Sequence, residues 1–319
     1  MPKTSDFRLL HSPLHVPGEG EVLIRVNYLS LDPYMRGRMS DKKSYARPVE
    51  LGELMVGAGV GDVIDSRHPA YKPGDFAAGF FGWQEYAVAK GEQLRKVDPS
   101  LAPISTSLGV LGMTGLTAYF GLIDICHPKP GETVLISGAA GAVGSIAGQI
   151  AKIKDCRVVG IAGSDEKVEY LVKELGFDAA FNYKTHSNYY ETLKQLCPQG
   201  IDVYFDNVGG EITDAAIRLL NVHARVTICG QISQYNLDKP EMGPRWLSQV
   251  IVSRCKIQGM LVGDYAPRFA DGLSHLAQWL AEGKLKHRED VVEGLENAPT
   301  AFIGMLEGKN LGKQLIKIR

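Results

Sequence analysis

The chain has 319 residues, 45% of them apolar and 22% charged, the balance of a globular protein with room for two ordinary domains. Lysine and arginine number 35 against 36 aspartates and glutamates, so a net charge near −1 gives no global attraction to nucleic acid or to an anionic membrane. Five cysteines without a CxxC pair predict reduced, mostly buried thiols, and MPKTSDFRLL, without an apolar signal region, predicts a cytoplasmic protein.

Taken in chain order, the first hundred residues read as β-rich. Residues 21–26 (EVLIRV) alternate like a half-buried strand. Residues 57–64 and 84–88 are further short strands, separated by the turn signal at 71–75 (YKPGD). Short strands punctuated by turns predict a partly open barrel. The rhythm changes near Ser105. A helix is predicted over 108–122, with Thr114 inside it. Six apolar runs follow, at 134–136, 157–161, 179–182, 203–205, 225–229 and 256–262, with helical segments such as 165–175, 189–197 and 212–220 between them. Strand alternating with helix predicts an α/β fold with a doubly wound parallel sheet. Beyond Tyr265 comes an amphipathic helix, 268–282, and then a terminal strand, 314–318. A lone strand is unstable, so this one is expected to pack back on the first domain.

The densest signal lies at 133–151, TVLISGAAGAVGSIAGQIA. Its length and lack of charge suit a membrane span, but Gly138, Gly141, Gly144 and Gly148, with Ser137, Ser145 and Gln149, argue against one. It reads instead as strand, glycine turn and helix. The turn Ala139-x-Gly141-x-x-Gly144 is a GxGxxG with alanine in the first place. Gly141 lets a pyrophosphate approach the backbone, Gly144 lets helix pack on strand, and the amides of residues Ala140, Gly141, Ala142, Val143 and Gly144 form the anion-binding end of the helix. A lone motif of this kind is weak; its place after the first of six strands gives it weight.

A dinucleotide fold selective for NAD carries an acid at the end of its second strand. Here that strand ends Gly160-Ile-Ala-Gly163-Ser164, without an acid. Ser164 can donate to a phosphate and Lys167 can pair with one, so the cofactor expected is NADP(H), although Asp165 and Glu166 follow closely. No cluster in the first domain offers three zinc ligands: His11 and His15 are separated by Pro13, and Cys126-His127 has no partners nearby. No GxSxG nucleophile elbow is present. The chemistry expected is therefore metal-free hydride transfer by the cofactor itself.

Several segments together resemble the zinc-independent medium-chain dehydrogenase/reductase family, in its leukotriene/prostaglandin and alkenal double-bond reductase branch. They are 29–39 (LSLDPYMRGRM), 112–120 (GMTGLTAYF), 137–144, 162–167 (AGSDEK), 181–184 (FNYK), 204–210 (YFDNVGG), 228–236 (ICGQISQYN) and 308–313 (GKNLGK), spread over nearly the whole chain. Members of the family usually carry an extra strand before the equivalent of Asp6-Phe7. The resemblance implies a GroES-like, partly open β-barrel substrate domain, residues 1–109 and 283–319, and a Rossmann nucleotide-binding domain, residues 110–282. It implies that Gly163, Ser164, Lys167 and Tyr183 surround the 2′-phosphate of NADPH. Thr114, Asn207, Cys229, Gly230, Tyr235 and Asn310 would lie along the ribose and nicotinamide, and Leu261-Val262 would touch the nicotinamide through backbone groups. A homodimer paired through the nucleotide-binding domain, near residues 250–262, is implied as well.

The reaction the resemblance implies is reduction of the carbon–carbon double bond of an α,β-unsaturated ketone or aldehyde. Charge builds on the carbonyl oxygen, so a hydrogen-bond donor there is the protein's main contribution. Tyr235 is the candidate, because a phenol with an ordinary pKa of about 10 stays protonated; the same residue would equally serve only to line the ribose. Tyr34 and Tyr45 are candidates to face the substrate, and Arg36 and Arg38 to meet an anionic tail, with packing and surface pairing as the plainer roles. Asp206, at a strand end, is expected to cap a turn. An NADPH:quinone reductase on the same fold, or an inactive nucleotide-binding regulatory protein, remains the competing reading.

Overall fold

A computed structural model describes all 319 residues and separates them into two compact units, Met1–Gly112 with Glu289–Arg319, and Met113–Arg288. In chain order the first unit opens with β1 (Glu21–Ser30), α1 (Tyr34–Arg38), β2 (Ala58–Ser66), β3 (Phe76–Phe80), β4 (Tyr86–Lys90) and β5 (Arg95–Val97). The second unit contains α2 (Met113–Phe120), β6 (Thr133–Ile136), α3 (Gly144–Ile153), β7 (Arg157–Ala162), α4 (Asp165–Glu169), β8 (Ala179–Asn182), α5 (Tyr189–Leu196), β9 (Ile201–Asp206), α6 (Gly210–Ile217), β10 (Leu220–Ile228), α7 (Leu247–Ser253), β11 (Lys256–Gly259) and α8 (Phe269–Ala281). The chain then returns to the first unit with β12 (Glu289–Glu293), α9 (Ala298–Leu306) and β13 (Lys313–Lys317).

The first unit is built on β1. One side of this long strand pairs antiparallel with β2; the other pairs with β4 along Glu21–Arg25 and with β13 along Tyr28–Ser30. The sheet runs β12-β13-β1-β2-β3-β5 with β4 as a branch, and its two ends do not join. Val22, Ile24 and Val26 alternate inward and meet Val63, Ala77 and Phe81, the period-two burial expected of a sheet with one covered face. The terminal strand does pack back on this unit. A second cluster under α9 joins Leu29, Met35, Trp83 and Phe302, and Phe7 stacks on Trp83 with ring centroids 5.3 Å apart.

One polar contact fixes the start of α1 against the terminal strand. Lys313 Nζ, 4% exposed, donates to Leu31 O at 2.7 Å and to Asp32 Oδ1 at 2.9 Å, and Ser30 Oγ donates to the other carboxylate oxygen. A buried lysine and a buried aspartate are tolerable only together.

The second unit is the doubly wound sheet. Its strand order is β11-β10-β9-β6-β7-β8 and every pair is parallel. Leu135, Val159, Tyr204 and Val226 form its core beneath α5 and α6. The glycine turn follows the central strand β6, where the winding reverses direction.

Several boundaries differ from the sequence reading, among them β10, which begins at Leu220 rather than 225. The helix expected over 108–122 begins only at Met113. The amides of Gly109 and Leu111 both donate to Thr106 O, and Gly112 donates to Gly109 O, so the chain turns before it can wind; the winding then continues, widened, over Gly121–Cys126. The sixth strand stops at Gly259 rather than 262. Met260 N still donates to Ile228 O at 3.0 Å, after which the tight turns of Val262–Arg268 take over, leaving Leu261 41% exposed beyond the strand.

Replacing Lys313 with Met strands the Asp32 carboxylate inside the first unit. The expected loss is about 3–5 kcal/mol in denaturant unfolding, with Asp32→Asn in the same chain restoring more than half of it; equal stability of the single and double variants would show that the pair is not coupled.

Candidate functional site

The C-terminal edge of the parallel sheet is where an open α/β fold receives its ligand. Here the glycine turn leaves β6 through Ser137 and Gly138, the latter at φ +58°, a conformation that side chains resist. A Cβ on Gly144 would lie 2.4 Å from Gly138 O, so only glycine lets α3 start this close to the turn. Gly141 O accepts from Ser145 N at 3.0 Å. The turn thereby places Ala140, Gly141, Ala142, Val143 and Gly144 at the start of a ten-residue helix, whose first amides lack intrahelical acceptors.

The neighbouring strand ends are locked to this turn by one buried carboxylate. Asp206, fully buried, accepts at Oδ1 from Ser137 Oγ (2.8 Å), Tyr204 Oη (2.9 Å), Val208 N (2.9 Å) and Gly209 N (3.0 Å). Its Oδ2 accepts from Thr213 Oγ1 at 2.6 Å and Gln231 Nε2 at 3.2 Å. The capping role expected of Asp206 is present, extended to a junction of β6, β9, α6 and the loop after β10. Asn207, the next residue, donates from N to Ser137 Oγ at 2.9 Å and from Nδ2 to Ser137 O at 2.8 Å. Cys229 N and Gly230 N donate to Asp206 O at 2.8 and 3.2 Å. Burial, and then the Asp206 charge, push the Cys229 thiol up to about 12, so it is a protonated liner and not a nucleophile.

Tyr235 closes over the end of β10. Its Oη accepts from Gln231 N at 3.2 Å, and a Cβ built on Gly230 would sit 3.2 Å from that oxygen and 3.3 Å from Asn207 O. Asn207, Gly230 and Tyr235 therefore converge, as the sequence reading expects of residues sharing one ligand.

A second cluster surrounds the end of β7. Ser164 caps α4 by accepting from Lys167 N at 3.3 Å. The Tyr183 ring lies against Gly163, whose built Cβ would meet Tyr183 Cε1 at 3.1 Å and Lys184 Cε at 3.6 Å. Lys184 Nζ stands 5.9 Å from the Tyr183 ring centre. Asp165, the acid that clouded the cofactor assignment, has its Oδ1 engaged by Asn182 Nδ2 at 2.8 Å. Lys184 is a cation the site reading passed over, although it directly follows Tyr183 in FNYK. With a backbone floor, a serine, a tyrosine and the Lys184 side chain at the end of β7, and Lys167 in the first turn of α4, the segment fits a 2′-phosphate.

The other candidates scatter. Thr114 is buried on α2, and Leu261-Val262 follow the end of β11. Asn310 belongs to the first unit, where its Nδ2 donates to Gly312 O at 2.9 Å. Also in the first unit, Tyr34 lines a cavity of about 400 Å³ with Arg38, Leu54, Met55, Phe80 and Phe81. Arg36, on the same helix, and Tyr45, 64% exposed, are not part of its lining. No three His, Cys, Asp or Glu side chains are grouped as a metal-binding set, and no helix is long and apolar enough to cross a membrane.

Comparison with known proteins agrees with this geometry. Residues 1–97 match the family described as the N-terminal domain of oxidoreductase, and residues 142–279 match the zinc-binding dehydrogenase family. The chain is 46% identical to the NADPH-dependent curcumin reductase of Escherichia coli (strain K12), over 99% of this chain and 93% of that protein. It is 46% identical to prostaglandin reductase 1 of Bos taurus, over 99% and 95%. The crystal structure of CurA from Vibrio vulnificus in complex with NADPH superposes with a TM-score of 0.95 at 46% identity, covering 100% of this chain and 96% of the other. Sheet order, glycine turn and whole-length similarity together establish that this chain belongs to the zinc-independent medium-chain dehydrogenase/reductase family, in its enone-reductase branch.

Proposed function

We propose that this protein is an NADP-dependent oxidoreductase that reduces the carbon–carbon double bond of α,β-unsaturated ketones and aldehydes. The observation that carries the cofactor is the grouping of Tyr183 and Lys184 against Gly163 beside the Ser164 cap, with Lys167 in the first turn of α4, and the relatives whose names specify NADPH support it. The substrate class follows from the curcumin and prostaglandin reductases that match over the whole chain.

When bound, NADPH supplies a hydride equivalent for the β-carbon of the enone. The chain's own residues do the rest. The helix start at Val143-Gly144 receives the pyrophosphate, and Lys167 and Lys184 neutralise the 2′-phosphate. Asn207 and Gly230, immobilised through Ser137 and Asp206, line the nicotinamide end. Tyr235 holds a proton at Oη, with the oxygen positioned by the Gln231 amide, to meet the negative charge that develops on the substrate carbonyl.

The functional unit we infer is a homodimer. β11 is the outer strand of the parallel sheet, and Leu247 and Ile251, one turn apart on α7, are 72% and 77% exposed, an apolar face that a second copy would cover. We place the protein in the cytoplasm, where its five unpaired cysteines would stay reduced.

Tyr235→Phe is expected to lower kcat/KM on enones by about 10²-fold while leaving NADPH affinity, measured by protein fluorescence, within a factor of about two. Unchanged turnover would remove Tyr235 from the chemistry, and turnover of quinones in preference to enones would reassign the substrate class. Lys167→Ala and Lys184→Ala are each expected to weaken 2′,5′-ADP roughly tenfold and 5′-AMP hardly at all. Calorimetry showing equal losses for both nucleotides would place the 2′-phosphate elsewhere.

A further inference from the structure

The amide that meets the Tyr235 oxygen belongs to a residue whose side chain is docked elsewhere. Gln231 N donates to Tyr235 Oη at 3.2 Å. Gln231 Nε2 reaches the other way, to Asp206 Oδ2 at 3.2 Å and to Gly230 O at 3.1 Å. Gly209, at φ +75°, makes room for that carboxamide: a Cβ there would lie 2.1 Å from Gln231 Oε1. The turn that follows is pinned to the same segment. Ile232 N donates to Asn207 O at 3.3 Å, Ser233 N to Val208 O at 3.1 Å and Gln234 N to Gln231 O at 2.8 Å. Of the six donors to the Asp206 carboxylate, Gln231 is the one that comes from the loop after β10.

A buried carboxylate with five other donors cannot turn without breaking them, so it is a fixed anchor. A neutral carboxamide donates to it without adding charge, whereas a second carboxylate in the same place would repel it. Anchoring the side chain holds the backbone of the same residue, and with it the amide that faces Tyr235. The positive end of that amide is aimed at the phenol oxygen, where negative charge builds as the phenol donates to the substrate carbonyl. We propose that Gln231 is a positioning residue for the reduction: docked on Asp206, it fixes the amide that holds the Tyr235 oxygen in place. The inference rests on the enone-reductase reading and adds to it a residue outside the candidate set, acting through Tyr235.

The test uses the full-length protein with NADPH and 4-phenyl-3-buten-2-one. Gln231→Met keeps the side-chain length and removes its donor. It is expected to lower kcat roughly tenfold, with KM and NADPH affinity within a factor of about two. In a Tyr235→Phe background the same substitution is expected to change kcat less than about twofold, because it acts through that phenol. Equal losses in both backgrounds, or full turnover in Gln231→Met, overturn the proposal. Gln231→Glu adds a pH readout that lost packing would not move. Tyr204 and Cys229 at the same junction are kept protonated by burial, and Glu241 on the same loop is engaged by Gln234 Nε2 at 3.0 Å, so Asp206 is the charge that the introduced acid meets. Protonated, that acid donates to Asp206 as the carboxamide does; ionised, it repels it. Its turnover relative to wild type is expected to be near one at about pH 5 and to fall as the pH rises towards about 9. A loss that is the same across that range overturns the proposal. Exchange of the amide proton at position 231, followed by heteronuclear NMR without substrate and corrected for intrinsic rates, reads the anchor itself. Gln231→Met is expected to speed it roughly tenfold, and unchanged exchange overturns the anchor. If the wild type reduces no enone while that acceleration is present, the enone-reductase reading falls and the link from Asp206 through Gln231 to Tyr235 stands.

Discussion

A carboxylate with no cation beside it organises the nucleotide-binding unit. Asp206 is sealed from water at the end of β9, where an ionised group is costly unless every lone pair is engaged. Six donors engage it, and they come from the end of β6, from β9 and the turn after it, from α6 and from the loop after β10. These segments all belong to the ligand edge of the sheet. Losing one donor would leave the rest bonded to a charge less fully solvated by the protein, so the network resists piecemeal change. Asn207, Cys229 and Gly230 are held through the same residue, by its backbone or by Ser137. The loop that bears Tyr235 is tied in by Gln231, which donates from its side chain to Asp206 and from its backbone to the Tyr235 oxygen. The place where the glycine turn meets the Tyr235 loop is thus defined by hydrogen bonds converging on one buried carboxylate.

How far the sequence revealed this depends on the distance over which each interaction acts. Local signals read well. The glycine turn and the six alternating strands are each written within a few residues, because turn geometry and strand period are short-range physics. The shifted boundaries at α2 and β11 are also local, but there hydrogen bonds competed: Thr106 O captures two amides before α2 can begin, and the backbone of Ile228 carries the chain past the end of β11. What the sequence hid are the pairings across distance. Asp206 read as a turn cap because its turn partners are two and three residues away, while Ser137 is 69 positions removed. Lys313 had no visible reason to be buried until Asp32, 281 positions earlier, stood beside it.

The arginines of MRGRM show a different limit. Sequence reading left Arg36 and Arg38 as equals beside Tyr34, because it assigned no element to 34–38. Once Pro33 starts a helical turn there, Tyr34 and Arg38 share a face by the four-residue spacing alone, and only Arg38 reaches the cavity. The same residues become distinguishable when their secondary structure is known. By contrast Lys184 needed no fold to be noticed, only the recognition that the residue after Tyr183 is a cation and that glycine at 163 leaves room for both side chains.

The two units deal with buried polarity in opposite ways, and the difference follows from what each must bind. In the nucleotide-binding unit Asp206 is engaged at both oxygens and Asp165 by Asn182, so the protein satisfies these acids itself and needs no ligand to do so. A cofactor that is the same in every turnover rewards such preorganisation. The first unit satisfies its own structural pair, Lys313 with Asp32, and two and six residues further along the chain leaves the Tyr34 phenol and the Arg38 Nε unmatched. Tight satisfaction of Asp32 is what makes this arrangement possible: were its charge available, Arg38 and Tyr34 would have an acceptor within their own segment. The buried clamp at the base of α1 therefore does more than hold a strand; it ties up the Asp32 charge that would otherwise lie open beside Tyr34.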